Sequence, residues 1–189
     1  MVKNLRKFHR QVAPFLFLPL LLTAVTGVGY RIGRSWFNLP SDAAEFFLVL
    51  HEGRFLGQPL VPIYVLWIGL SLLAMLVTGW VMVSQRKPLI ALPKKDWRSV
   101  HRFVAPIALL PLGVSAITGI AYRLGKAWFN LPPEQTSFLL RLHQGTYLGS
   151  SLRPFYVLLV GSGLVGLLIT GIQLTPLFRK RKVPAPPGS

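Results

Sequence analysis

Long apolar stretches without a charged side chain dominate the chain. Four of them occur, over residues 11–30, 58–84, 103–122 and 154–178. About twenty residues at a rise of about 1.5 Å each cover the roughly 30 Å hydrocarbon core of a bilayer. The pattern therefore predicts four transmembrane helices. We expect the first over about residues 7–30, the second over about 62–82, the third within 103–122 and the fourth over about 154–175.

The apolar stretches and the residues that separate them occur twice, at a constant offset of 92 residues. Residues 9–83 align on residues 101–175 without a gap, and about half of the aligned positions are identical. The repeated landmarks include Thr26-Gly27 with Thr118-Gly119, and Thr78-Gly79 with Thr170-Gly171. The fold class predicted is an all-α integral membrane protein, a four-transmembrane-helix bundle from two tandem parallel repeats. Repeat 1 covers residues 1–84, a linker 85–97, repeat 2 98–178 and a tail 179–189.

Each repeat also contains a short helical segment after an Asn-Leu-Pro loop. In the first, Asp42 is the expected N-cap, with Glu45 three residues later completing a capping box. In the second, Pro133 stands at the start. Both segments end at His-x-Gly, where the glycine is expected to stop the helix. They are too short to span, so we place them at the outer interface.

The positive charge of the chain follows the predicted membrane boundary. A net charge of +16 is typical of nucleic-acid-binding proteins, but the basic residues cluster on one side of the four spans. The positive-inside rule then places both termini and the linker in the cytoplasm, in an inner (plasma) or internal membrane, and disfavours nucleic acid as a partner. The residues concerned are Lys3, Arg6, Lys7, Arg10, Arg86, Lys87, Lys94, Lys95, Arg98, Arg102, Arg179, Lys180, Arg181 and Lys182.

Two motif types can be excluded. The chain has no cysteine, which rules out disulfides, thiolate iron–sulfur clusters and haem attached through cysteine. Gly161-Ser162-Gly163-Leu164-Val165-Gly166 fits the dinucleotide-binding pattern but follows no strand and lies within a span. We interpret these small residues as a site of close helix contact.

All four histidines of the chain occupy equivalent positions of the two repeats. His9 and His101 lie at the cytoplasmic ends of their helices, and His51 and His143 lie at the outer side. A pseudo-two-fold axis along the membrane normal would bring the members of each pair face to face. Such a pair can supply both axial ligands of a haem iron, which predicts two b-type haems per chain. Interfacial capping histidines, a zinc site and general-base catalysis are the alternatives.

The surroundings of the histidines also repeat. On a helical wheel, one face carries small and apolar residues beside the histidine, which leaves volume for a flat ligand. This face consists of His9, Ala13, Leu20, Ala24 and Gly27 in the first helix and His101, Ala105, Leu112, Ala116 and Gly119 in the third.

Cationic and hydroxyl side chains stand next to both predicted haem positions. Arg10 and Arg102 adjoin the inner pair, whereas Tyr30-Arg31 and Tyr122-Arg123 end the first and third spans near the outer pair. Haem propionates need such partners at the membrane edge. Contact with lipid headgroups is the alternative role for the arginines.

Short motifs resemble the PepSY-associated transmembrane family. They are Phe8-His9-Arg10, the segments LHEGRFLG at 50–57 and LHQGTYLG at 142–149, and the following helices that end in Thr78-Gly79 and Thr170-Gly171. The resemblance implies haem b held by transmembrane histidines, as in inner-membrane ferric-siderophore reductases. The resemblance covers nearly the whole chain, once per repeat. We expect a short, internally duplicated form without a soluble periplasmic PepSY domain, so the resemblance implies haem binding and not substrate binding.

The expected function is that of a di-haem b-type membrane cytochrome, a ferric-reductase-like oxidoreductase component that passes electrons across the membrane. Ferric iron is one candidate for the outer acceptor. No flavin or nicotinamide site is readable, so a flavoprotein or a quinol is the expected donor. Two alternatives stay open: a haem-free scaffold or assembly subunit, and a quinol-oxidising membrane enzyme.

Overall fold

The structure is a computed structural model that describes residues 2–85, 96–175 and 177. All regular structure in these residues is helical. Each half of the chain contains three α-helices and one short 3₁₀ turn, in the same order. Residues 86–95 of the basic linker and the tail 179–189 lie outside the described residues. The helices are α1 (Val2–Trp36), α2 (Ser41–Glu52), α3 (Leu60–Ser84), α4 (Trp97–Ala127), α5 (Pro133–Gln144) and α6 (Gly149–Gln173), with 3₁₀ turns at Arg54–Leu56 and Thr146–Leu148.

Four helices, α1, α3, α4 and α6, are long and apolar enough to cross a membrane. Large apolar side chains cover their outer surface, and Phe15, Leu110 and Leu159 are each more than two-thirds exposed. Such a surface suits contact with lipid, because apolar side chains in a bilayer gain little free energy by packing against protein instead. The four predicted spans are therefore confirmed as helices of spanning length.

The first span is longer than its apolar pattern. Helix α1 begins at Val2 and ends at Trp36, so it extends beyond the predicted residues 7–30 at both ends. Charged side chains interrupt the hydrophobic pattern there without interrupting the backbone hydrogen bonds, because the ends of a spanning helix reach water. Pro14 and Pro19 lie inside this helix without ending it, as expected for a bundle.

The long helices form a four-membered ring. Helix α1 packs against α3 and α6, and α4 packs against the same two neighbours, so α1 and α4 lie on one diagonal. The short helix α2 packs on α1, and α5 packs on α4. Buried aliphatic residues from the four long helices fill the axis of the bundle, among them Leu16, Leu20, Ile68, Ala108, Leu112 and Leu164.

Glycines bring helices of different halves into close contact. An added Cβ at Gly69 of α3 would lie 2.4 Å from Ile120 of α4, and one at Gly161 of α6 would lie 2.2 Å from Val28 of α1. A side chain at either position would force Ile120 or Val28 to move, so the glycines permit the close approach at these two interfaces. The interpretation of residues 161–166 as a close helix contact is thus confirmed for Gly161.

Both short helices end as predicted, but the first begins differently. Gly53 (φ 72°) and Gly145 (φ 66°) adopt the left-handed conformation and terminate α2 and α5. The predicted capping box is wrong: α2 begins at Ser41, no side chain caps it, and Glu45 pairs with Arg54 at 2.6 Å. Because the helix begins at Ser41, Asp42 lies inside its first turn and not at the cap position. The other carboxylate of the box, that of Glu45, is bound by Arg54, nine residues away.

Two alanine substitutions in α6 test this packing. Gly161→Ala places a Cβ against Val28 and is expected to destabilise the fold by about 1–3 kcal/mol, since the helices must move apart. Gly166→Ala is the matched control, because a Cβ there meets nothing within 4 Å, and better helix propensity should stabilise it by up to about 1 kcal/mol. Thermal unfolding in detergent measures both, and equal melting temperatures would contradict the packing.

Candidate functional site

Two cavities lie inside the bundle, one toward each end. The terminal cavity, of about 450 Å³, lies where α1 and α4 begin and is lined by His9 and His101. The short-helix cavity, of about 230 Å³, lies beside α2 and α5 and is lined by His51 and His143. Each predicted histidine pair therefore shares one cavity.

The small-residue face predicted from the helical wheel lines these cavities. All ten of its residues contact one cavity or the other, with the alanines and glycines opening the space beside the rings. Leu20, Leu72 and Leu164 line both cavities, so these leucines form a layer between them. Leu112, buried beside Leu164, completes the layer with one leucine from each long helix.

Threonine hydroxyls hold the two histidines of the terminal cavity. Nδ1 of His9 lies 2.7 Å from Oγ1 of Thr78, whose own proton is donated to the carbonyl of Ala74 at 2.7 Å. The hydroxyl must then accept from the ring, so the proton resides on Nδ1 and Nε2 keeps a free lone pair. His101 repeats the arrangement with Thr170 at 2.8 Å, which donates to Gly166.

Backbone carbonyls hold the two histidines of the short-helix cavity. Nδ1 of His51 donates to the carbonyl of Thr23 at 2.9 Å, and Nδ1 of His143 donates to that of Ser115 at 2.8 Å. A carbonyl only accepts, which again places the proton on Nδ1 and the lone pair on Nε2. This is the tautomer that metal-ligating histidines use, with the second nitrogen oriented by a neighbouring oxygen.

The rings of His51 and His143 have the spacing that a shared metal requires. Their centres are 6.1 Å apart and their planes are inclined by 52°. Two imidazoles on opposite sides of one metal ion put their ring centres roughly 6 Å apart, since each metal–nitrogen bond is about 2 Å. Burial lowers the pKa of His51 and lowers that of His143 to about 4, with the charge of His51 adding to the latter. Both are therefore neutral at pH 7.

The repeated Thr-Gly dipeptides explain how the rings fit. An added Cβ would meet a histidine Cε1 at each glycine: at 2.9 Å from His51 for Gly27 and 3.0 Å from His143 for Gly119. The corresponding distances are longer at the terminal cavity: an added Cβ at Gly79 would lie 3.7 Å from Cε1 of His9, and one at Gly171 would lie 3.4 Å from Cε1 of His101. Each ring thus lies over a position without a side chain.

Polar residues beside the short-helix cavity connect the two halves. Arg123 donates to Glu52 at 2.6 Å, and Arg31 reaches Gln144 at 3.5 Å, so each arginine contacts the residue after the opposite histidine. Tyr30 and Tyr122 line the same cavity. All four were predicted beside this histidine pair, and the structure places them there.

The terminal cavity carries the other predicted arginines. Arg10 and Arg102 both line it together with His9 and His101. The ten predicted site residues thus divide between the two cavities as expected, while their role as ligands of a cofactor stays a prediction.

Several residues at the site were not predicted to act there. The sequence repeats Thr78 and Thr170, yet their role as acceptors for the histidines requires the contact between helices. Glu52 and Gln144 also line the short-helix cavity, and the signal for both was their place directly after the histidines. Arg153 lies beside them and donates to Gln144.

The donor set at each cavity is a pair of imidazoles. Within the described residues, no group of three or more His, Asp and Glu side chains could hold a metal ion. Comparisons of the chain with known protein families, characterised proteins and solved structures give no match.

Substitution of Gly27 tests the histidine packing. Gly27→Ala should destabilise the protein by about 1–2 kcal/mol, because its Cβ displaces the ring of His51. In the His51→Ala background the same substitution should become neutral or mildly stabilising. Gly113→Ala in α4 is the control, since its Cβ meets nothing within 4 Å. Thermal unfolding of the four variants gives the coupling, and a coupling of zero would contradict the contact.

Proposed function

We propose that the protein is a di-haem b-type membrane cytochrome that passes electrons across the membrane. His9 and His101 would hold one haem, and His51 and His143 the other. The observation that carries the proposal is that two internal cavities each receive one histidine pair with Nε2 unoccupied by any hydrogen bond among the described residues. The resemblance of the motifs to the PepSY-associated transmembrane family is in accord with it.

The equivalence of the two halves supports the parallel-repeat arrangement on which the pairing depends. The ring bonds His9–Thr78 and His101–Thr170 join equivalent residues, as do the bonds of His51 to Thr23 and His143 to Ser115. Helices α1 and α4 lie diagonally across the bundle, as a two-fold axis along its centre requires. The positive-inside rule orients this bundle with the terminal cavity toward the cytoplasm.

The donor atoms at both cavities are of the kind that haem iron binds. Neutral imidazoles are the donors that b-type haem iron takes, and the hydrogen bond at each Nδ1 raises the basicity of the opposite nitrogen. The terminal cavity falls within the range of about 300–1,000 Å³ that is usual for ligand sites. The short-helix cavity is smaller, and there the 6.1 Å separation of the rings is the better measure of fit.

The protein itself would hold the haems, orient the histidine rings and enclose both. A bound haem b supplies one-electron redox chemistry. The Nδ1 hydrogen bonds fix ring orientation, and the glycines beneath the rings allow the four long helices to enclose them. The leucine layer of Leu20, Leu72, Leu112 and Leu164 separates the two cavities. Arginines at both cavities offer partners for propionate groups.

Electrons would enter on the cytoplasmic or membrane side and leave on the outer side. No nicotinamide or flavin pattern is present in the sequence, so the donor would be a flavoprotein or a quinol. The acceptor would be an outer oxidant such as ferric iron. These partners follow from the orientation and the resemblance.

Histidine substitutions test the pairing by haem content. His9→Ala and His101→Ala should each remove the same haem, leaving about one per chain, since one iron needs both rings. Combining these two should remove no further haem, whereas His9→Ala with His51→Ala should empty both sites. Haem extraction with a redox difference spectrum measures the content.

Two results would contradict the proposal. A wild-type protein without a bis-histidine haem spectrum would favour a scaffold role. An additive loss on combining His9→Ala with His101→Ala would show that these residues serve different haems. Thermal unfolding of each variant separates haem loss from misfolding.

The threonine acceptors give a subtler test. Thr78→Val removes the acceptor of His9 and should weaken haem binding at the terminal cavity by about 10- to 100-fold. Thr26→Val is the matched control, because Thr26 is equally buried but bonds only within α1. Haem titration of the purified protein measures both affinities. Equal affinities in the two variants would contradict the orienting role of Thr78.

A further inference from the structure

The two halves differ in charge at one equivalent position of the short-helix cavity. The residue after His51 is Glu52, whereas the residue after His143 is Gln144. Both line the cavity and both contact the arginine of the opposite half. The same network therefore carries a carboxylate on one side and a neutral amide on the other.

On the Glu52 side the cations are neutralised. Glu52 accepts a hydrogen bond from Arg123 at 2.6 Å. Its carboxylate also forms an ion pair with Arg54, whose Nε lies 3.0 Å away, and Arg54 pairs with Glu45 at 2.6 Å. Two carboxylates thus face two guanidinium groups. This side has no excess positive charge for a further anion.

On the Gln144 side the cations lack a carboxylate. Arg31 and Arg153 both direct a guanidinium nitrogen at Oε1 of Gln144, and the two groups repel each other. Among the described residues neither has an ion pair, and Nε of Arg153 is buried without a hydrogen-bond partner. Two partly buried cations that share one neutral acceptor leave donors and charge unsatisfied.

The rest of the cavity lining indicates which kind of ligand could pair with Arg31 and Arg153. Its wall is mainly aliphatic, including Val28, Ile68, Leu112 and Val157. A hydrated phosphate would gain little from such a wall, whereas an apolar body with a carboxylate at one edge matches both parts. The planar carboxylate also fits guanidinium forks in the bidentate manner.

We propose that Arg31, Arg153 and Gln144 form a one-sided site for the carboxylate of an apolar ligand. Two sources share this chemistry: the propionate of the haem in the short-helix cavity, or a dissolved apolar carboxylic acid from the outer side. The first source rests on the proposed function, and the second does not.

The experiment has two arms on the full-length protein. In the first, the haem-free protein is melted with benzoate and with benzamide, its neutral isostere. In the second, the affinity for protohaem is compared with that for its dimethyl ester. The variants are Arg153→Gln, Gln144→Glu and Arg153→Lys, with Lys126→Gln as the control, because it removes an exposed cation from the same end.

The wild type should prefer the carboxylate form in at least one arm. Arg153→Gln and Gln144→Glu should reduce this preference about tenfold, since each removes or neutralises a charge-assisted hydrogen bond. Arg153→Lys should recover part of it, and Lys126→Gln should retain it. A preference in the haem arm identifies the propionate, and one in the benzoate arm a dissolved acid.

Absence of a preference in both arms, or a preference that Arg153→Gln leaves unchanged, would overturn the site. If the protein binds no haem at all, the proposed function fails, yet the benzoate arm still decides on the carboxylate site. Retained melting temperatures in Arg153→Gln and Gln144→Glu show that loss of the preference is not loss of the fold.

Discussion

Orientation of four imidazole rings sets the requirements for the whole bundle. Each ring donates from Nδ1 to an oxygen on a neighbouring helix, at 2.7–2.9 Å. Such a bond forms only if the two helices approach closely, and the ring must then fit between them. The four glycines of the Thr-Gly dipeptides provide that fit. Helix spacing, cavity shape and tautomer therefore depend on one another, and a change in any of them alters the direction of Nε2.

Lipid makes this dependence stricter than water would. In a bilayer the apolar surface of a helix gains nothing by facing protein, so close packing and hydrogen bonds must hold the bundle. The contacts of Gly69 with Ile120 and Gly161 with Val28 join different halves. The crossed pairs of Arg123 with Glu52 and Arg31 with Gln144 do the same at the polar end. The two halves are thus joined by glycine contacts between the long helices and by hydrogen bonds of arginines beside the short-helix cavity.

Much of the fold and of the candidate site could be predicted from the sequence, because residues that occur at equivalent positions of both repeats indicate which side chains share a face. The spans, the face around His9 and the glycine ends of the short helices required only periodicity and turn chemistry. The acceptor role of Thr78 was not readable, since it depends on the distance between two helices. The capping box at Asp42 and Glu45 failed for a similar reason: Arg54, remote in sequence, takes the carboxylate. Local rules decide when no distant group competes.

The leucine layer separates two cavities that lie toward opposite ends of the bundle. A membrane potential sets up a field across the apolar interior of the bundle, and Leu20, Leu72, Leu112 and Leu164 form the part of that interior between the two cavities. A single charge that moves from one cavity to the other does so through this field, and at a potential of about 100 mV the work is about 2.3 kcal/mol for full passage. If the proposed function holds, electron transfer between the two cavities would do work in this field, and its rate would depend on the membrane potential.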